Sequence, residues 1–228
     1  MTQTSIFGCR DARGAHWQLG PLPPASGRLT LITWSQAPEG HDAGVPEEVA
    51  RVLARALTSV ARVTFPCSSV KPVATSGWSP MDDDLIRVLT GKGFGERIVA
   101  RLKGKPRDIT LTSTRRPETA MRLFDDPGFP WWMQGQVALL SGLDAPPPDI
   151  DEETLLALFE EDWTRRAASL APGMEAILRP GVDGDVAGLL SLTDGFEQVV
   201  LAALESETRR VGFDWALLPE EAFALRRV

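Results

Sequence analysis

Four short apolar runs have the length and spacing of β-strands. Residues 28–34 (RLTLITW) carry leucines on one face and Ile32 and Trp34 on the other, which predicts a strand covered on both faces. Residues 108–114 (DITLTST) alternate apolar residues with threonines, as a half-exposed strand does. Two further strands are predicted at residues 62–65 (RVTF) and 136–141 (QVALLS).

Helical spacing of apolar residues marks the segments between and after these strands. In residues 45–63, Pro46 suits the first turn of a helix, and Glu47 and Glu48 complement the helix dipole. The same pattern predicts four further helices, at residues 116–124 (beginning near Pro117), 151–170 (with Asp151 as N-cap), 195–210 and 219–227.

The alternation of strands and helices predicts an α/β fold, with a mixed α+β fold as the open alternative. We expect a layered, partly parallel sheet of about four or more strands with flanking helices. Residues 142–151 contain three consecutive prolines, which make an extended and stiff connector. The connector predicts a boundary between an α/β layer, residues 1–144, and a mainly helical C-terminal subdomain, residues 145–228, packed on it as one compact unit.

Residues 175–192 (EAILRPGVDGDVAGLLSL) are compatible with two structures. The Asp-Gly pair within them is typical of a tight turn between two strands, which indicates a hairpin. The two apolar runs equally fit a pair of short helices. The sequence leaves both alternatives open.

A glycine-rich segment, residues 89–102 (LTGKGFGERIVARL), resembles part of a nucleotide-binding loop. Gly91 and Gly93 match the first two glycines of the dinucleotide-binding pattern. Glu96 occupies the third position, where the helix and the strand of that motif must pack closely. The partial match is therefore weak.

The residues before this segment carry the signals of a helix start. Ser79 is an N-cap type, Pro80 suits the first turn, and three aspartates follow. We therefore expect a helix over residues 79–90 that ends at Gly91, and a second helix that starts near Phe94.

Composition narrows the class of partner. The 228 residues carry a formal net charge of -7, which disfavours nucleic acid and favours a basic protein partner. The N-terminal residues lack the apolar run of a signal peptide, and no apolar run reaches the roughly 20 residues of a membrane span. We expect a cytoplasmic protein with reduced cysteines and no membrane contact.

Histidine and cysteine are few and widely spaced, whereas carboxylates, which can also bind metals or act in catalysis, are plentiful. Zinc-ligand types occur only at isolated positions, without the local pairs of a zinc site: Cys9, His16, His41 and Cys67. Acidic clusters at residues 82–84, 125–126 and 160–162 fit solvated helix ends and faces. The sequence therefore predicts no catalytic residue, no metal site and no cofactor.

Residues 125–136 (DDPGFPWWMQGQ) combine aromatic side chains with two prolines and two aspartates. They predict a buried plug over one end of the sheet, since most large aromatic residues are buried. The alternative is an exposed anchor for a protein partner, since tryptophan is enriched at binding hot spots. For the alternative, the partner-binding residues are Asp125, Asp126, Phe129, Trp131 and Trp132.

Three functions are compatible with these features, and no family motif fits the residues. The leading hypothesis is a non-catalytic acidic protein that binds another protein, in one concrete form an immunity protein that neutralises a basic bacterial toxin. The second hypothesis is an enzyme for a small molecule or nucleotide, with a ligand site at the strand ends that comprises Ser68, Ser69, Lys92, Arg115 and Arg116. The third hypothesis is a dimeric structural or chaperone-like subunit joined through residues 151–168.

Overall fold

The structure is a computed structural model, and it describes residues 5–11, 28–34, 45–67, 85–89, 109–125, 137–150, 173–180 and 186–218. The strands in these ranges are β1 (Ser5–Asp11), β2 (Arg28–Trp34), β3 (Ala61–Cys67), β4 (Leu85–Leu89), β5 (Ile109–Thr114), β6 (Ala138–Gly142), β7 (Met174–Pro180), β8 (Val186–Ser191) and β9 (Asp214–Leu218). The helices are α1 (Glu47–Val60), α2 (Pro117–Asp125) and α3 (Phe196–Val211). The predictions of β2, β3, β5, β6 and the three helices are confirmed, whereas β1, β4 and β9 are strands that the apolar pattern does not predict.

All nine strands belong to one sheet, in the order β4-β5-β3-β6-β7-β8-β2-β1-β9. Every neighbouring pair is antiparallel except β1 and β9, which run parallel at one edge. The expectation of a partly parallel sheet made by alternating strands and helices is therefore wrong, and the fold is mixed α+β. Neighbours such as β7 and β8 are separated by too few residues for the helical crossover that parallel neighbours need.

The three helices pack around one apolar cluster on a single face of the sheet. α1 contacts both α2 and α3 and so lies between them. Trp34 and Phe65 are among the largest sheet residues in this cluster, and each is 2% exposed. None of the helices that the structure describes is both long enough and apolar enough to cross a membrane.

α1 passes directly into β3 without a loop. Glu47 and Glu48 lie in its first turn after Pro46, and Arg51 Nη2 donates to Glu47 Oε1 at 2.7 Å. At the other end Ala61 is already extended, with φ −146° and ψ 159°, and its N–H donates to Leu57 O. Because no residue lies between the two elements, the packing of α1 also fixes where β3 begins.

The prediction of a helix over residues 79–90 is wrong for residues 85–89, which form strand β4. Ile86 and Val88 are β-branched, and the backbone pairs with β5 from Leu85 to Leu89. Long-range pairing therefore outweighs the local helix-start signals. Gly91 and Phe94 lie outside the described ranges.

The antiparallel pairing of β4 with β5 also argues against the dinucleotide-binding alternative. That motif joins two parallel strands through a glycine-rich turn and a helix. The strands on either side of the glycine-rich segment are direct neighbours that run in opposite directions. The strands around the glycine-rich segment therefore lack the parallel arrangement that the dinucleotide-binding motif requires.

Residues 175–192 adopt the hairpin and not the two short helices. β7 pairs with β8 from Ala176 opposite Ser191 to Pro180 opposite Ala187, and the turn lies outside the described residues. The hairpin lies in the middle of the sheet, between β6 and β2. The boundary after residue 144 stays a prediction, as do the helices at 151–170 and 219–227, which the described ranges do not include.

Both faces of the central strands are buried. On the face away from the helices, Leu31 and Leu139 are each 0% exposed, which confirms the two-sided burial predicted for β2. The prediction that β5 is half exposed is wrong, because Leu111 is 3% exposed and Thr112 is 0% exposed. Threonine resembles valine in shape, so it fits the pleated surface of a covered strand as well as an open one.

One aromatic contact joins α2 to the sheet. The rings of Phe65 and Phe124 meet edge to face, with centroids 5.0 Å apart and an interplanar angle of 81°. Both side chains are buried within the apolar cluster. The contact fixes α2 against β3 and so positions the residues that precede α2.

We expect Phe124→Ala to lower the free energy of unfolding by about 3–5 kcal/mol, because it removes a buried ring and leaves a cavity. Urea unfolding followed by circular dichroism measures the change. Val199→Ala is the control, since Val199 is 47% exposed on α3, and it should change stability by less than about 0.5 kcal/mol. Equal effects of the two variants would contradict this account of the core.

Candidate functional site

The predicted partner-binding segment lies almost wholly outside the described residues. Asp125 is the last residue of α2. The other four residues fall outside the described ranges: Asp126, Phe129, Trp131 and Trp132. This surface therefore stays a prediction.

Of the five residues of the predicted ligand site, two lie in the described part of the chain and the other three stay a prediction. Ser68, Ser69 and Lys92 are outside the described ranges, whereas Arg115 and Arg116 connect β5 to α2. β3 and β5 are antiparallel, so the end of β3 that leads to Ser68 is the end opposite to the one that carries Arg115. The expectation that strand ends gather these residues assumed parallel strands, which the sheet does not have here.

Arg115 instead meets a second arginine, Arg62, at the end of three neighbouring strands. Arg62 is the second residue of β3 and stands opposite Ser141 of β6. Val63 of β3 pairs with Thr114, the last residue of β5. Arg62 precedes Val63 and Arg115 follows Thr114, so the two arginines are neighbours at this end of the antiparallel pair. Asp144 follows β6 and approaches Arg115. We call Arg62, Arg115, Ser141 and Asp144 the arginine corner.

Arg62 is the buried member of the arginine corner and is 9% exposed. Its Nε donates to Ala145 O at 3.1 Å, which ties the start of β3 to the turn after β6. The turn itself is closed by Ala145 N, which donates to Gly142 O at 3.0 Å. Within the part of the chain that the structure describes, Arg62 Nη1 and Ser141 Oγ are buried without a hydrogen-bond partner. The corner therefore holds buried polar atoms with unused bonding capacity.

Arg115 and Asp144 form the outer, solvent-facing part of the arginine corner. Arg115 Nη1 lies 3.6 Å from Asp144 Oδ1, and the two side chains are 45% and 100% exposed. An exposed pair at this distance contributes little to stability, since water screens it and both side chains must be ordered. The pair is therefore easily exchanged for another charged group.

The electrostatics of the corner reflect its excess of positive charge. Burial lowers the pKa of the Arg62 guanidinium, the neighbouring charge of Arg115 lowers it further, and Asp144 raises it in part. Arginine nevertheless stays protonated in proteins, so the corner carries two positive charges and one negative charge. Guanidinium groups donate hydrogen bonds without giving up their protons, so the corner suits the holding of an anion and not proton transfer.

Buried polar side chains continue from the corner on the same face of the sheet. Thr64 lies two residues after Arg62, and its Oγ1 atom is 2.7 Å from Ser113 Oγ. The two residues are 1% and 2% exposed. Their mutual hydrogen bond satisfies both hydroxyls and fixes β3 against β5 next to the corner.

The sequence pattern does not reveal Arg62, because the pattern around it indicates a solvent-exposed residue. Polar Arg62 and Thr64 alternate with apolar Val63 and Phe65, which is typical of a strand with one face in water. The structure buries both faces, so the polar residues lie in the interior. The one signal that the sequence offers is an arginine at the start of the strand that follows α1.

A different surface feature lies at the far edge of the sheet, on β9. Leu217 is 53% exposed, the most exposed large apolar residue in the described ranges. It stands opposite Gly8 of β1, which has no side chain to cover it. β9 has no second neighbour among the described strands. The edge therefore presents an apolar residue on a strand that is paired on one side only.

No group of three or more His, Cys, Asp or Glu residues that could hold a metal ion occurs within the described ranges. Both histidines and the acidic clusters at residues 82–84 and 160–162 lie outside those ranges. Comparison with protein-family models, with curated proteins and with solved structures found no match.

We expect Thr64→Val and Ser113→Ala each to lower the free energy of unfolding by about 1–3 kcal/mol, because each leaves one buried hydroxyl without its partner. The double variant should be close to the wild type, since both polar groups are then gone. A double-mutant cycle measured by urea unfolding gives the coupling. Additive losses in the double variant would show that the two hydroxyls do not depend on each other.

Proposed function

We propose that the protein acts by binding another protein, and that edge strand β9 is the docking edge. The observation that carries this proposal is the exposure of Leu217, 53%, on a strand at the end of the described sheet. An edge strand offers unpaired backbone N–H and C=O groups to a strand of a partner. An apolar side chain on that edge adds contact area for the same partner.

The comparison of the two sheet edges supports this choice. Natural edge strands are usually protected by charged residues, proline or bulges. β4, at one edge, carries Arg87 at its centre, whereas β9 reads DWALL and has its only charge at Asp214, its first residue. Within its described residues, the edge at β9 therefore has neither a proline nor a charged residue at the centre of the strand to discourage pairing with another chain.

Charge favours a basic partner at this edge. The chain has a net charge of -7, β9 begins with Asp214, and Glu220 and Glu221 follow it in sequence. Opposite charges raise the rate of encounter and discriminate among partners. The concrete form that we propose is an immunity protein that meets a basic bacterial toxin in the cytoplasm and covers its active site.

Replacement of Leu217 tests the docking edge. We expect Leu217→Arg to weaken binding about ten-fold or more, a loss of about 1.4 kcal/mol, because it places a positive charge against a basic partner and removes apolar contact. Tagged wild-type and variant chains are used to capture proteins from lysate of the source organism, and calorimetry on the recovered partner gives the Kd.

Val199→Arg is the matched control, because Val199 is an exposed apolar residue on α3 and the substitution adds the same charge. Thermal unfolding checks that both variants fold. A partner held equally well by the wild type and by Leu217→Arg would remove β9 as the docking edge. A chain that captures no protein at all would contradict the proposal of protein binding itself.

The aromatic segment predicted from sequence is the second candidate surface for the same function. If it binds the partner, Trp131→Ala or Asp126→Asn should weaken binding by about ten-fold without unfolding the chain, since tryptophans at hot spots contribute most of the binding energy. Calorimetry with the partner recovered above measures the effect. Unchanged Kd values for both variants would exclude this surface.

A further inference from the structure

We propose that the arginine corner is a binding site for a small anion that carries a phosphate or carboxylate group. Arg115 is the outer guanidinium of the site and Arg62 the inner one. The corner lies on β3, β5 and β6, and β6, the nearest of the three to β9, is five strand positions from it in the order of the sheet. At about 4.8 Å for each strand this separation is about 24 Å, so the site is distinct from the proposed docking edge.

The first argument is the balance of charge. Among the described residues whose charges act on Arg62, Arg115 adds a second guanidinium and Asp144 is the carboxylate that offsets it in part. Like charges held close together repel, and burial of one of them increases the cost. An anion placed between the guanidiniums removes this repulsion. The local excess of positive charge is notable because the chain as a whole is acidic.

The second argument is the unused hydrogen-bonding capacity of a buried side chain. Arg62 is about nine-tenths buried, and its Nη1 has no hydrogen-bond partner among the described residues. The same is true of Ser141 Oγ, which stands opposite Arg62 across the β3–β6 pairing. Buried donors without acceptors are costly, so such groups are usually satisfied by a ligand, an ion or water.

The third argument is the match between these donors and an oxyanion. A guanidinium presents N–H groups in a planar fork that fits two oxygens of a carboxylate or phosphate. Ser141 adds a hydroxyl donor on the inner side of the corner. α2 begins at Pro117, two residues after Arg115, and the positive end of its dipole also favours an anion nearby.

Asp144 is the exposed carboxylate that an incoming anion would displace from Arg115. Its carboxylate is fully exposed and lies 3.6 Å from Arg115 Nη1, a separation longer than a hydrogen bond. A phosphate or carboxylate from solution competes with Asp144 for Arg115. Removal of the Asp144 charge should therefore strengthen anion binding, whereas removal of the Arg115 charge should weaken it. A purely structural ion pair would not produce these opposite effects.

Thermal unfolding with added anions tests the proposal. The probes are inorganic phosphate and succinate, each compared with chloride at equal ionic strength, because an anion that binds only the native state raises the melting temperature. We expect phosphate, succinate or both to raise Tm of the wild type above its value in chloride. A response to phosphate alone identifies a phosphate ligand, and a response to succinate alone identifies a carboxylate ligand.

Paired variants separate the site from general charge effects. Arg115→Gln should remove most of the anion-specific rise and weaken binding by about ten-fold or more in calorimetry, because a charge-assisted fork is lost. Arg209→Gln is its control, since Arg209 is an exposed arginine that pairs with one carboxylate, Glu205. Asp144→Asn should enlarge the rise, and Asp194→Asn, a change at an exposed aspartate elsewhere, should not.

The proposal is overturned if neither anion raises Tm above chloride, or if the rise is the same in Arg115→Gln as in the wild type. It is also overturned if Asp144→Asn and Asp194→Asn have the same effect. Leu217→Arg should leave the anion response unchanged. The two proposals can therefore fail separately.

Discussion

The arrangement of the described residues depends on β3, which is covered on both faces and paired on both sides. α1 leads into it without a loop, β5 and β6 flank it, and Val63 and Phe65 point into the helical layer. Its other face carries Arg62 and Thr64 in the interior. A polar group on such a strand is costly unless it has a hydrogen-bond partner, so the residues opposite the strand are constrained by it.

The constraint explains why the polar features of this fold occur where they do. Thr64 is satisfied by Ser113 on the neighbouring strand, and Arg62 is satisfied in part by the carbonyl of Ala145. A polar link of the same kind lies on the helical face, where Thr30 donates to buried Glu197 at the start of α3. The difference is that Arg62 lies at a strand end, where solvent and a second arginine are close. Along β3, the buried and hydrogen-bonded Thr64 is therefore only two residues from the charged arginine corner.

The sequence predicts the helices and strands that have a long and periodic apolar pattern. It does not predict the strands whose structure depends on pairing with distant residues. α1 and α3 follow from their apolar spacing, and α1 also from Pro46, Glu47 and Glu48 at its start. β4 was misassigned because its preceding aspartates favour a helix locally, whereas β5 supplies the hydrogen bonds that make it a strand. β1 (SIFGCRD) and β9 (DWALL) are irregular in their apolar pattern, so their strand character depends on the sheet beside them.

The candidate site was predictable only in part, for a related reason. Arg115 stands out in sequence as one of two adjacent arginines after a strand, and the structure places it at a charged corner. Arg62 does not stand out, because alternation with apolar residues is the mark of a solvent-facing position. Which face of a strand is covered depends on what packs there, and a single strand's sequence holds no record of its neighbours. The same limitation caused Thr112 to be assigned to an exposed face.

The position of the β7–β8 hairpin has a consequence for how the chain reaches its native state. β2 belongs to the N-terminal part of the chain, yet its neighbours are β1 and β8, and β8 is connected onward through β7 to β6. The two halves of the sheet therefore have no direct hydrogen-bonded contact until residues 174–191 are present. During synthesis, α1 and β3 emerge well before the strands that join them to β2. These pairings join residues that are far apart in sequence, which is typical of slow-folding topologies, and strand edges that stay open during folding are prone to aggregation.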